Sequence, residues 1–219
     1  MSNILYKKFI ATELSPLVPT KNKSGGQQIP ITYQSMNNFT LQTPVVSLPF
    51  GISEYVPDVG PTKHSLELSF KGFETDPKIK AFKTLIEDLD THFINLAVKN
   101  SPEWFGKQMS TEVVTELYRP IIKQSKQPEK YAPTMKLKLR SRNDVLDVKA
   151  TTVDGEVFDI STVTPGTTGA AIVDFAPIWF VNKQFGVTMT LLAMSVHTSP
   201  NYNREYVFDN DDDVHSEDE

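Results

Sequence analysis

Apolar and polar residues alternate in "SLELSF", placing Leu66, Leu68 and Phe70 on one face and Ser65, Glu67 and Ser69 on the other, the pattern of a strand with one buried side. The period then changes. After Asp76, suited to an N-cap, and Pro77, suited to the first helical position, apolar side chains recur at Ile79, Phe82, Ile86, Leu89, Phe93 and Leu96. Spacings of three and four predict one long amphipathic helix, with Trp104 and Phe105 as packing residues at its end. A second helix is expected from a Ser110 cap through "STEVVTELYRPIIKQ", where acids come first and cations later, with Pro120 bending or ending it.

On either side of these helices the chain reads as strands. "FTLQTPVVSLPFGISEY" mixes β-branched and aromatic residues with Pro44 and Pro49, which suits strands at an edge or broken by a bulge. From Pro133 three strand-like runs follow, "PTMKLKLR", "VLDVKATTV" and "EVFDI", joined by residues 141–144 and by Asp154-Gly155, a type I′ hairpin signal. "PGTTG" separates them from "AAIVDFAPIWFV" and "FGVTMTLLAMSVH", with Asn182, Lys183 and Gln184 as the turn between these two. The order predicts a mainly β chain, a small barrel with a long helix packed on it. Residues 15–28, rich in Pro, Lys, Ser and Gly, read as a loop or arm. The expected organisation is therefore a flexible arm over 1–28, one domain over 29–208 and a disordered tail over 209–219.

With 219 residues, 39% of them hydrophobic, the chain suits one sizeable domain with flexible ends. The absence of cysteine excludes thiolate nucleophiles, disulfides and the common structural zinc sites, and fits a reducing intracellular compartment. Lys7, Lys8 and Glu13 interrupt the apolar residues of the N-terminus, so neither a signal peptide nor a membrane span is expected. Charge is spread unevenly. Overall 22 Lys and Arg stand against 27 Asp and Glu, a net of −5, yet seven of the acids (Asp209, Asp211, Asp212, Asp213, Glu217, Asp218 and Glu219) crowd the last eleven residues. Without them the body has 22 cations against 20 anions, a net of +2, which allows a local basic face. The tail reads either as a solubilising polyanion or as a tethered competitor for such a face.

The best candidate for that face is "PTMKLKLR". In a strand, Met135, Leu137 and Leu139 point one way and Lys136, Lys138 and Arg140 the other, aligning three cations at roughly 6.5–7 Å intervals. An ordinary solvated strand face also carries charge, but a row of one sign calls for an anionic ligand. Arg119, Lys123, Lys126 and Lys130 precede it, interleaved with Tyr118 and Tyr131, and Arg142 and Lys149 follow. Mixed cations and aromatics suit single-stranded nucleic acid, because phosphates take the charges and every base offers a face to stack on. Trp179, Phe180 and Phe185 are candidate stacking platforms or core residues, and Lys183 beside them completes the basic set. The four histidines, His64, His92, His197 and His215, lack metal-ligand spacing. Glu87, Asp88 and Asp90, and likewise Asp144 and Asp147, read as a solvated helix face and a turn rather than a cation site. With no phosphate-cradling glycine motif either, no cofactor, metal or catalysis is expected.

"APIWFVNKQFGVTMTLLAMSV", preceded by "EWFGKQMSTEVVTELYRPIIKQ" and "YAPTMKLKLR" and followed by an acidic end, resembles the single-stranded DNA-binding proteins of large eukaryotic DNA viruses, themselves similar to the podoviral OB-fold type with an acidic tail. The resemblance covers roughly Phe39 to the C-terminus. It implies an OB-type barrel with the long helix at one end, which coats single strands in viral replication, recombination and repair at the site of viral DNA synthesis in the host nucleus or a cytoplasmic factory. It further implies a homodimer whose tail competes with DNA and recruits the viral polymerase or helicase-primase. This chain ends in Glu219 where podoviral tails end in an aromatic residue, and carries Met189 where relatives are expected to have an aromatic. Two other readings stay open at this point: an acidic chaperone that captures basic partners, which needs no row of Lys136, Lys138 and Arg140, and an RNA-binding OB-fold, which contacts to a 2′-hydroxyl would distinguish.

Overall fold

The computed structural model describes residues 2–142 and 145–197. Asp144, Phe208, His215 and the seven tail acids from Asp209 to Glu219 therefore lie outside the described residues.

Five strands close into a barrel: β1 (Val46–Ser47), β2 (Lys63–Ser69), β3 (Thr134–Leu139), β4 (Thr168–Phe175) and β5 (Met189–His197). β1 pairs antiparallel with β2, β2 with β3, β5 with β4 and β4 with β1, while β3 and β5 run parallel. The circuit 1-2-3-5-4-1 is that of an OB-fold-like barrel. Period-two alternation fills it: Leu66 and Leu68, Met135, Leu137 and Leu139, Ala171 and Val173, and Leu191 are all buried. The register of β4 on β5 shifts between Ile172 and Val173, a bulge of the kind that bends strands where barrels close.

Helix α1 (Pro77–Lys99) begins where its sequence says, because the Asp76 carboxylate accepts from the Lys78 and Ile79 backbone N–H groups and Pro77 loses no hydrogen bond at the first turn. Its stripe of Phe82, Leu85, Ile86, Leu89, Phe93 and Ala97 is buried, and Phe82 meets Phe70 just beyond β2 at 5.6 Å between ring centres. The helix stops at Lys99, so Trp104 and Phe105 belong to a separate short helix, α2 (Ser101–Phe105). Helix α3 (Thr111–Leu117) ends before Pro120, and the chain leaves it extended.

The N-terminal segment is not the arm its composition suggested. Ser2–Leu5 runs parallel to Phe39–Gln42, which pairs in turn with β4. Tyr6, Phe9, Ala11 and Leu14 are buried, with Phe9 packed on Tyr33, Phe39 and Phe175. The interruptions at Lys7, Lys8 and Glu13 fall in two short 3-10 turns that expose the charges while the aromatics face inward. His92 on α1 fixes this segment through the Leu14 carbonyl, 2.9 Å away. The Lys- and Gly-rich stretch is a hairpin, Thr20–Lys21 against Gln27–Ile29, tied at its tip by Asn22 N–H to the Gly26 carbonyl.

The later strand runs are more broken than alternation implied. "VLDVKATTV" divides into Val145–Leu146 and Lys149–Thr152, and "EVFDI" supplies a single bridge from Val157 to Thr151 before a 3-10 turn. Pro177 breaks "AAIVDFAPIWFV" after β4, and residues 187–188 break the next run. The intervening pieces, Ile178–Val181 and Gln184–Gly186, leave the barrel to form a second, smaller sheet with Tyr118–Arg119, Gln27–Ile29 and Thr20–Lys21.

Candidate nucleic-acid interface

Strand β3 supplies the base of the site. Its inward residues are sealed in the barrel, and Lys136 and Lys138 are exposed on the other face. Across the ladder β2 sets Glu67 opposite Lys136 and Ser65 opposite Lys138. The loop from β1 to β2 folds back as the strand Ser53–Tyr55, pairing Tyr55 with Lys63 and bringing the Lys63 ammonium to 5.9 Å from the Tyr55 ring centre, within cation–π range.

The opposite wall comes from the connection between β4 and β5. Its hairpin turns at Asn182 and Lys183, both at positive φ (50° and 65°), the backbone of a two-residue hairpin turn. Trp179 stands opposite Gly186 in this hairpin, and the pairing requires the glycine: a Cβ there would lie 2.8 Å from Trp179 Cζ2 and 3.1 Å from the Arg119 carbonyl oxygen. The indole is thereby seated over the hairpin backbone, partly exposed. Arg119 runs parallel alongside, and its Nε donates to Gln184 Oε1 at 2.8 Å.

Helix α1 aligns this wall from behind. Asp90 Oδ1 accepts from the Tyr118 hydroxyl at 2.7 Å and from the Ile121 N–H at 2.9 Å, bracketing Arg119 and Pro120. Burial pushes the Asp90 carboxyl above its usual range despite these hydrogen bonds. Burial, reinforced by the Asp90 charge, pushes the Tyr118 hydroxyl far above its ordinary value. The side group that read as a solvated helix carboxylate is therefore a structural acceptor.

Between these walls lies a cleft of about 430 Å³. Four cations (Lys63, Arg119, Lys136 and Lys138) and two aromatics (Tyr55 and Trp179) line it, and no carboxylate does among the described residues. It occupies the β2–β3 face between the loops joining β1 to β2 and β4 to β5, which is where OB-folds take oligonucleotides.

A family model matches residues 74–210, that of DUF5871, a family of unknown function. The chain belongs to this family. No curated protein matches it in sequence. In structure it is similar to the single-stranded DNA-binding protein from bacteriophage Enc34 in complex with ssDNA, with a TM-score of 0.51 and 16% identity over 84% of this chain and 96% of that one. It is also similar to gp2.5, a single-stranded DNA-binding protein encoded by bacteriophage T7, with a TM-score of 0.47 and 10% identity over 81% and 97% of the two chains. At 16% identity the likeness to the Enc34 protein is one of fold.

Among the residues singled out from sequence, the structure brings Arg119, Lys136, Lys138 and Trp179 together in the cleft. Arg140 continues the β3 row but is paired with Asp174 at 3.0 Å, so its charge is partly matched. Arg142, on the strand Ser141–Arg142 paired with Val145–Leu146, and Lys183, at the turn of the 178–186 hairpin, are exposed outside the cleft. Lys149 lies elsewhere, beside Ala170, Ile172 and Ala193 on the outer surface of β4 and β5. Lys123 and Tyr131 line a neighbouring cleft.

Phe185 is no platform: it is fully buried, packed on Tyr118, Phe105 and Phe180 at 5.2, 5.5 and 5.9 Å between ring centres. This cluster fastens the hairpin to the helical side of the molecule, and its need for an apolar anchor explains the position. Phe180 belongs to the same cluster, meeting Trp104 at 6.0 Å. Sequence reasoning missed Tyr55 and Lys63. Their signal was the SEY triplet before a Pro- and Gly-containing turn, followed by alternation from Lys63, which together describe a hairpin folding onto β2.

Proposed function

We propose that the protein binds single-stranded DNA, with little dependence on sequence, along the β2–β3 face of the barrel. The observation that carries this reading is the cleft in which four cations and two aromatics converge, with no carboxylate among the described residues that line it. Phosphates are neutralised by Lys63, Arg119, Lys136 and Lys138, and bases stack on Trp179 and Tyr55. A concave site in which rings and cations converge takes unpaired bases together with their backbone, which favours single strands over duplex. The Enc34 protein of similar fold is a single-stranded DNA-binding protein seen with ssDNA, which supports the assignment. An acidic chaperone has no use for such a cleft.

The biological setting we infer is the coating and protection of single strands during replication, recombination and repair of a viral genome, at the intracellular site of its synthesis, by a homodimer. The acids from Asp209 to Glu219 compete with DNA for the cleft through tethered, screened attraction and recruit a polymerase or helicase-primase once displaced. The deciding experiment is a salt-dependent titration with single-stranded DNA, duplex DNA and RNA oligomers. Affinity is expected to fall by about 0.7 log units per log unit of salt for each phosphate contact and to rank single strands above duplex. Salt-independent binding or a duplex preference overturns the reading, and preference for RNA transfers it to the other polymer. Truncation after Phe208 is expected to raise low-salt affinity several-fold, with the gain shrinking as salt rises; equal affinities would make the tail a solubility device.

A further inference from the structure

A second cleft, of about 450 Å³, opens on the same barrel face, beside the Thr134 end of β3. Its walls are the loop that leaves β1, which presents Phe50, and the segment between α3 and β3, which presents Lys123, Lys126 and Tyr131. Phe50 and Tyr131 are 53% and 61% exposed, so two large rings face solvent where packing does not demand them. The segment is held in place by Ile122–Lys123 pairing antiparallel with β3, Lys123 opposite Thr134. One loop thus lends an aromatic to each cleft, Tyr55 to the first and Phe50 to the second, and one strand lends both a polar row, Thr134 to one and Lys136 and Lys138 to the other.

Glu67, opposite Lys136 on β2, lines this second cleft on the side toward the first, the one acid to do so among the described residues. Its carboxylate accepts from the Thr134 hydroxyl at 2.7 Å and lies 3.7 Å from the Lys123 ammonium, so its charge is already met. Lys126 has no ion pair among the described residues. A phosphate at this point gains Lys126 directly and gains Lys123 by displacing Glu67.

We propose that this second cleft is a further station for the same strand, so that bound single-stranded DNA runs from Trp179 along β3, past Glu67, to Phe50 and Tyr131. The inference rests on the proposed function above, and it sets the length of strand the protein covers toward the upper part of the range of about 4–16 nucleotides seen for OB-folds. Short strands fill the first cleft only; longer ones add stacking on Phe50 and Tyr131 and a phosphate at Lys126.

The test compares oligothymidylates of about four and about twelve nucleotides by fluorescence anisotropy at low salt, on the full chain. The double variant Phe50→Ala with Tyr131→Ala, both at exposed positions, is expected to weaken the long oligomer by roughly five- to a hundred-fold and so collapse the ratio of long to short affinity. Lys126→Ala is expected to lower the salt slope for the long oligomer by about 0.7 and leave that for the short one as it was. Glu67→Gln, which keeps an acceptor for Thr134, is expected to tighten the long oligomer several-fold. If the short oligomer binds and the double variant holds the long one as tightly as the parent, the second station is wrong while the first stands. If the parent binds neither oligomer, the underlying function falls and this inference with it.

Discussion

Strand β3 and the hairpin of residues 178–186 form facing walls of one cleft, and they reach it by different routes. In β3 the division of labour is written in the alternation itself: Met135, Leu137 and Leu139 enter the barrel and Lys136 and Lys138 stay outside. In the hairpin, three aromatics compete for two faces. Trp179 and Phe180 are neighbours and so point opposite ways. Phe185 is registered against Phe180 and shares its side, whereas Trp179 is registered against Gly186. The side holding Phe105 and Tyr118 becomes core, and the side holding Gly186 becomes the cleft. A strand with charges reveals its own exposed face; a strand with aromatics on both sides takes its orientation from what packs on it.

The sharpest way to break this comparison is to remove the buried aromatic of the hairpin. Phe185→Ala removes a fully buried ring and is expected to cost about 3–5 kcal/mol of stability, measured by urea denaturation, with binding lost only as the fold is lost. Leu137→Ala, its counterpart inside β3, is expected to cost about 2–5 kcal/mol. A cost below about 1 kcal/mol for Phe185→Ala would mean that the aromatic cluster does not hold the hairpin.

Trp179→Ala should do the reverse, weakening single-strand binding by about 1–3 kcal/mol for the stacked base while leaving the denaturation midpoint near that of the parent. The chain has only two tryptophans, Trp104 and Trp179, and Trp104 is buried. Quenching by oligothymidylate is therefore expected to vanish in Trp179→Phe and persist in Trp104→Phe. Persistent quenching in Trp179→Phe would move the stacking platform elsewhere.

Smaller effects distinguish cations within the β3 row. Lys136→Ala and Lys138→Ala are each expected to reduce the slope of log affinity against log salt by about 0.7. Arg140→Ala is expected to reduce it by less, because Asp174 already lies 3.0 Å from its guanidinium and must be displaced by an incoming phosphate. Equal slopes for all three variants would show that the Asp174 pair does not persist in solution.

Much of this was legible from the chain and some could not be. The cap at Asp76, the stripe of α1 and the alternation of β3 are local signals, and each sits where its residues specify; in β2 the serines of the polar face, Ser65 and Ser69, are buried as well. The cation row on β3 was readable for the same reason. What failed is non-local. Nothing near Arg140 announces Asp174, thirty-four residues away, and nothing near Phe185 announces Phe105 and Tyr118. The N-terminal segment reads as an arm because residues 15–28 are rich in Pro, Lys, Ser and Gly, whereas the partners that bury Tyr6 and Phe9, namely Phe82, Phe39 and Phe175, lie far along the sequence. Tyr55 entered the cleft only once its strand was known to fold back on β2.

The smallest expected effect tests how the hairpin wall is held from behind. Asp90 Oδ1 takes both the Tyr118 hydroxyl and the Ile121 N–H, so Asp90→Asn keeps an oxygen able to accept from both while removing the ionisation. The Asp90 carboxyl lies above its usual range because burial outweighs the hydrogen bonds. A folded-state value raised above the unfolded one means that the protonated form is favoured by folding. Its contribution to stability is therefore complete below the unfolded carboxylate range and is lost as pH rises through the raised value. Relative to Asp90→Asn, the parent is expected to lose stability as pH climbs above the unfolded carboxylate range of about 4. Glu112 and Asp159, whose carboxyls are held low by local hydrogen bonds, are common to both proteins and cancel in the difference. Urea denaturation of the pair over that rise in pH measures it, and because the acceptor for Tyr118 and Ile121 survives, single-strand affinity at neutral pH is expected to stay within about two-fold of the parent. If the parent instead gains stability over the variant as pH rises, the hydrogen bonds outweigh burial, and the ionised Asp90 is itself what clamps Arg119 into the wall of the cleft.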